Sequence, residues 1–129
     1  MKKVIILFFG IALFAAIFLT VSSFSFKADD NVHFQRLAGA RFWASGAVTG
    51  TGTWIMVRTN TGKAFHCVNI FTFLTGPHSG SVLNINSNCN TITNVGVWHV
   101  VSGTNDFADA KGTGSLNMGP ETFDGTIDY

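Results

Sequence analysis

Gly96-Val97-Trp98-His99-Val100-Val101-Ser102-Gly103-Thr104-Asn105-Asp106-Phe107-Ala108-Asp109-Ala110-Lys111-Gly112-Thr113-Gly114 is the most structured-looking stretch of this 129-residue chain. Val95–Ser102 alternates as a strand, with Trp98 and Val100 on one face. Ser102-Gly103-Thr104-Asn105 makes a turn, and asparagine at its end tolerates a left-handed backbone. Phe107 and Ala110 are expected to flank a bend and tuck under the end of a barrel. Gly112 and Gly114 then let the next strand coil sharply. A strand is predicted over Phe107–Leu116, and Asn117-Met118-Gly119-Pro120 joins it to a last one over Glu121–Tyr129. There Phe123, Ile127 and Tyr129 alternate with Thr122, Asp124, Thr126 and Asp128, one face apolar and one wet.

The residues upstream read the same way. A first strand is predicted through Phe34–Ser45. Ala47–Arg58 follows, with Val48, Gly50, Gly52, Trp54 and Met56 on one face and Thr49, Thr51, Thr53, Ile55 and Val57 on the other. Asn60-Thr61-Gly62-Lys63 is a turn. Ala64–Thr75 is the most hydrophobic segment: Phe65, Cys67, Phe71 and Phe73 share one face, and Val68, Ile70 and Leu74 the other. A strand apolar on both faces belongs in the middle of a sheet or under a cover. After the Gly76–Gly80 turn, Ser81–Ile85 is a short strand. Five asparagines then fall at even positions from 84 to 94, except 92. The middle of that segment is predicted to be a loop tied back by Cys89. Short strands punctuated by Gly, Asn and Thr every 8–14 residues or so, without helical periodicity, predict a small antiparallel β-barrel of about seven to eight strands in near-neighbour order.

The quoted hairpin resembles the G-x-W-x-I-x-S-G-T-G-x-[FY]-A-x-[AL]-x-G-x-G hairpin of small secreted bacterial β-proteins of unassigned function. Its core, G-T-x-x-F-x-x-A-x-G, also looks like the hairpin of the allene oxide cyclase and dirigent barrels. Asn105 stands where the second glycine of the turn is usual. The resemblance runs from Gly96 to Tyr129, including Phe123-Asp124-Gly125-Thr126-Ile127. It implies a calycin- or allene-oxide-cyclase-like barrel. It carries over no functional residue, because fold alone does not set function.

The chain begins with Lys2-Lys3 and an unbroken non-polar run of 16 residues, Val4–Leu19, then Thr20-Val21-Ser22-Ser23-Phe24-Ser25-Phe26. That is the layout of a secretory signal peptide. A spanning helix needs roughly 20 apolar residues, so the run is short for one. Cleavage after Ser25, or after Ser23, leaves one β-barrel domain over residues 26–129; an uncleaved anchor is the alternative. The expected location is secreted, periplasmic or cell-surface, with membrane contact only through this segment. In the exported part Lys27, Arg36, Arg41, Arg58, Lys63 and Lys111 face seven acidic residues, a net charge of −1. That gives no basic patch for nucleic acid. Cys67 and Cys89 are the only cysteines. In an oxidising compartment they predict a disulfide, which the chain-entropy model values at roughly 3 kcal/mol for this spacing. A Cys–His metal or nucleophile site, with His66 beside Cys67, is the alternative; neighbours on a strand point to opposite faces, which argues against it.

Sites for chemistry are sparse. His66 and His99 are expected to be cross-strand neighbours, with His33 and His78 elsewhere. No metal-ligand spacing occurs, and neither a metal nor another cofactor is implied. No G-x-S-x-G elbow occurs, and Ser79-Gly80-Ser81 reads as a turn. Asp106, Asp109, Asp124 and Asp128 read as solvated acids rather than a catalytic pair. The aromatic residues either fill a barrel or line a cup for one apolar ligand. Trp54 and Trp98 are the expected ligand contacts, with Arg41 or Arg58 as polar partners. Non-enzymatic binding of a small apolar molecule or a cell-surface partner is therefore expected. A cyclase- or isomerase-like enzyme and a structural or adhesion module are the alternatives.

Overall fold

Alternation of apolar and polar residues over short glycine-punctuated segments leaves each strand with one face to bury, and closing the sheet on itself buries all of them at once. The computed structural model describes residues 30–129, so the signal peptide expected at residues 1–25 lies outside the described residues. Eight antiparallel strands form a closed barrel: β1 (Asn31–Leu37), β2 (Arg41–Gly46), β3 (Gly50–Thr61), β4 (Ala64–Phe73), β5 (Val82–Asn90), β6 (Val95–Gly103), β7 (Lys111–Asn117) and β8 (Thr122–Asp128). Each strand pairs with its chain neighbours, and β1 pairs with β8 to close the ring.

The expected strands hold in outline, with changes. The strand expected over Ala47–Arg58 starts only at Gly50 and runs on to Thr61, into the expected turn. Phe34–Ser45 is two strands, because the chain reverses at Ala38-Gly39-Ala40, where Gly39 (φ 78°) and Ala40 (φ 55°) are left-handed. The asparagine segment is not a loop: β5 runs on to Asn90, its even-numbered asparagines facing out and Ile85, Ser87 and Cys89 facing in. Phe107 lies in a 3-10 helix (Asn105–Phe107), and β7 starts only at Lys111. Finally, β5 stands between His66 on β4 and His99 on β6, so these are not cross-strand neighbours.

The expected disulfide is absent: Cys67 and Cys89 are both free and buried. Register explains it. Cys67 sits opposite Ser87, and Cys89 opposite Phe65. The two cysteines are thus diagonal neighbours, which lie roughly 7–8 Å apart on an antiparallel pair, at or beyond the span a disulfide bridges without backbone movement.

The interior is aromatic from end to end. Ring contacts run from Trp54 to Phe71 (5.8 Å, stacked), Phe71 to Phe42 (4.9 Å), Phe42 to Phe73 (5.0 Å) and Phe73 to Phe107 (5.2 Å). Phe34 and Phe123 pack on the same column. An eight-stranded barrel is just wide enough to be filled this way. Phe107, fully buried, plugs one end as the motif predicts. His78 and Tyr129 pack over it. His78 Nδ1 lies 2.9 Å from Asp106 Oδ2, and its Nε2 3.2 Å from the Tyr129 hydroxyl, which donates to the Ala47 carbonyl at 2.8 Å.

Candidate functional site

The other end of the barrel is built differently. The β1–β2 and β3–β4 hairpins turn there, but at different heights. β2 pairs with β3 only through Gly50–Thr53, and the Trp54 amide then donates to the Ala40 carbonyl at 2.8 Å. β3 continues to Thr61, paired with β4 on one side. Its other edge, from Ile55 onward, has no strand beside it among the described residues. The Trp54 bond fixes the alternation, so Met56, Arg58 and Asn60 present their backbone N–H and C=O groups to that edge.

Side chains from β1 and from the inward face of this overhang lie over the mouth. The Arg36 guanidinium lies 5.7 Å from the centre of the Trp54 ring, and Arg58 lies 3.8 Å from that of Phe65. Both are cation–π distances. Arg36 also forms an ion pair with Glu121. Arg58 Nε donates to Asn60 Oδ1 at 2.8 Å, and no carboxylate pairs with Arg58 among the described residues. Arg36, Ala40, Trp54, Ile55 and Met56 line an open cleft of about 320 Å³ where the β1–β2 turn stops and the free edge begins.

Below the mouth lies a small polar cluster. Asn69 is fully buried. It accepts from Trp54 Nε1 at 3.1 Å and donates to the Ile85 carbonyl at 3.1 Å and to Ser87 Oγ at 3.0 Å. Burial pushes the Cys67 thiol up from its ordinary value; its hydrogen bond with Ser87 and the Arg58 charge pull down and are outweighed. Burial also raises Cys89, helped by the charge of Cys67. Thiols held protonated in this way are poor nucleophiles.

The four residues singled out for ligand contact are not brought together. Trp54 is in the core, 5% exposed, with only its rim at the cleft. Trp98, 2% exposed, lies over the facing pair Gly114 and Gly125, and its Nε1 donates to the Ser115 and Asp124 carbonyls. A Cβ on either glycine would run into that indole. Arg41 is on the outer face of β2, its Nε donating to the Ala38 carbonyl at 3.4 Å. Arg58 shares the inward face of β3 with Trp54, one turn of alternation beyond Met56. Arg36, the cation that meets Trp54, and Asn69, which holds its indole, were not singled out.

The outside of the barrel is two-sided. Strands β7, β8, β1 and β2 show mainly polar side chains, and there His33 Nδ1 lies 2.5 Å from Asp124 Oδ1 with the Trp43 ring against it. Ile55, Val57 and Val68, on β3 and β4, are exposed, as are Val95, Val97 and Val101 on β6. No three metal-ligating side chains converge among the described residues. No family model, curated protein or solved structure matches the chain.

Proposed function

We propose that this protein is an exported, non-enzymatic barrel that binds a surface partner through its outer face, around the β3–β4 overhang. The observation that carries the reading is the filled interior. A continuous aromatic column from Trp54 to Phe107 occupies the volume where a lipocalin-like cup would hold its ligand. Both buried indoles already have their N–H groups bonded, so neither offers a polar anchor to a guest. Exposed apolar side chains beside an open strand edge supply a surface instead. The enzyme alternative, a cyclase or isomerase that works by shaping its substrate, asks for a lumen of substrate size, which the same column argues against.

The test is native mass spectrometry together with tryptophan fluorescence against a panel of fatty acids, lipids and phenolics. No stoichiometric adduct and no shift in emission are expected. In parallel, fluorescently labelled protein is expected to be retained saturably on washed cells of the producing culture. Retention should fall when Val57 and Val68 are both replaced by threonine. A one-to-one apolar adduct with shifted Trp54 emission sinks the surface reading and restores the cup.

A further inference from the structure

We propose that the free edge of β3 is a β-augmentation site for an extended peptide that alternates acidic and apolar residues. The inference rests on the surface-partner reading and names the partner's chemistry. Seven residues, Ile55–Thr61, form an edge with no neighbouring strand among the described residues, enough for one strand of ordinary length. Their backbone groups are the kind of template that captures an added strand. The side chains then set which strand. On the inward face stand Met56, Arg58 and Asn60; on the outward face Ile55, Val57 and Thr59. An added strand places its own side chains alternately beside these two rows. Arg58 has no carboxylate partner among the described residues, and neither does Lys63 at the hairpin tip. Acidic residues on one face of the peptide would meet Arg58, and apolar ones on the other would cover Ile55 and Val57. The cleft lined by Arg36, Ala40, Trp54, Ile55 and Met56 continues the edge and takes the terminal side chain.

A second copy of the chain fits less well. Antiparallel pairing of β3 with β3 about a two-fold axis brings Arg58 close to its own copy, and like charges opposed across strands destabilise. Of the acids elsewhere on the barrel, Asp106, Glu121 and Asp124 already face His78, Arg36 and His33, Asp30 and Asp109 lie outside any strand, and Asp128 sits on β8, whose edges are both used in closing the ring.

The experiment is fluorescence anisotropy on the protein recovered from cells expressing the full chain. The probes are labelled acetyl-(Glu-Val)4-amide, the matching (Lys-Val)4 peptide, and a (Glu-Val)4 peptide N-methylated on alternate residues. The acidic peptide is expected to bind with Kd below about 1 mM, and the other two not to bind. Met56→Pro removes the N–H that points to the free edge, at a position where a strand tolerates proline, together with the Met56 side chain at the cleft, and is expected to weaken binding at least about tenfold. Arg58→Glu reverses the charge at an exposed site and is expected to do the same; circular dichroism checks that both variants are folded. Equal binding of (Lys-Val)4, no binding of (Glu-Val)4, or folded variants that bind as well as the parent overturns the inference. In the last case Arg58 serves only to deter edge pairing. Concentration-dependent dimers abolished by Met56→Pro overturn it in favour of self-pairing. If the peptide fails while cell retention stays saturable and the apolar panel stays silent, only the peptide chemistry is wrong. A positive apolar panel removes the surface reading itself.

Discussion

Replacing Asn69 by leucine keeps the branched shape of this buried side chain, with methyl groups in place of the amide oxygen and nitrogen, and removes three hydrogen bonds at once. The Trp54 indole N–H loses its acceptor, and the Ile85 carbonyl and Ser87 hydroxyl lose a donor. Among the described residues nothing else bonds the Trp54 Nε1 group, and the site is closed to water, with Asn69 fully buried and Trp54 5% exposed. An orphaned buried donor or acceptor costs about 1–3 kcal/mol. Ser87 can rotate its hydroxyl, and the Ile85 carbonyl keeps its ladder bond to the backbone N–H of residue 69, so the Trp54 indole N–H is the one group left unpaired and a loss of about 2 kcal/mol is expected. For a domain of this size that lowers the melting temperature by very roughly 8–16 °C, out of a total stability of about 5–15 kcal/mol. The assay is urea unfolding followed by tryptophan emission, with Asn69→Leu, Trp54→Phe and the double variant measured as a cycle. The double variant removes donor and acceptor together and should recover at least about 1 kcal/mol relative to the sum of the single losses, since deleting both partners spares the orphan penalty. A loss below about 1 kcal/mol for Asn69→Leu, or strict additivity in the cycle, refutes the reasoning.

Four further outcomes follow from the same structure. Native protein at neutral pH should resist Ellman's reagent at Cys67 and Cys89 and show no mobility change on reduction, with two thiols titrating after denaturation; one unreactive thiol pair in denaturant would mean a bond had formed. Because burial raises both thiols and Tyr129, whose hydroxyl also feels the Asp106 charge, the folded state holds protons that the unfolded chain gives up. Their contribution is complete below the ordinary thiol value of about 8.5 and is lost as pH climbs through the raised values; stability measured from pH 7 to 10.5 should fall above that point, less steeply in a Cys67→Ser/Cys89→Ser variant. Gly114→Ala drives a methyl group into the Asp124 carbonyl and the Trp98 indole and should cost at least about 3 kcal/mol or prevent folding. Gly62→Ala, left-handed but in open space, should cost only about 1 kcal/mol by the same denaturation assay.

The apolar faces were readable from the sequence because alternation is a local signal. Phe65, Cys67, Phe71 and Phe73, and Phe123 with Ile127, all point inward as their spacing requires. The Ala38–Ala40 reversal carries one glycine and no asparagine or proline, so nothing local marks it off from the strands on either side. The asparagine run misled in the other direction. Asparagine suggests loops, yet its placement at every second position is itself a strand signal, the polar row of β5 set against Ile85 and Cys89. Asn69 had the same kind of signal: it shares the parity of Cys67 and Phe71 and so had to face inward. The Arg36–Trp54 contact had none. It joins β1 to β3 across the mouth and exists only once the ring is closed and the β1–β2 hairpin ends short of β3.

The pairing of β1 with β8 has a consequence for how the molecule is made. Seven of the eight ladders join consecutive strands and can form as the chain lengthens, whereas the eighth waits for Thr122–Asp128. The ring cannot be completed until the final strand has been made, and a polypeptide lacking that strand would keep two raw edges. The same adjacency brings the ends of the barrel sequence side by side, so a short linker from Tyr129 back to Asp30, with new termini opened at Gly62–Lys63, should yield a circular permutant that rebuilds the same ring.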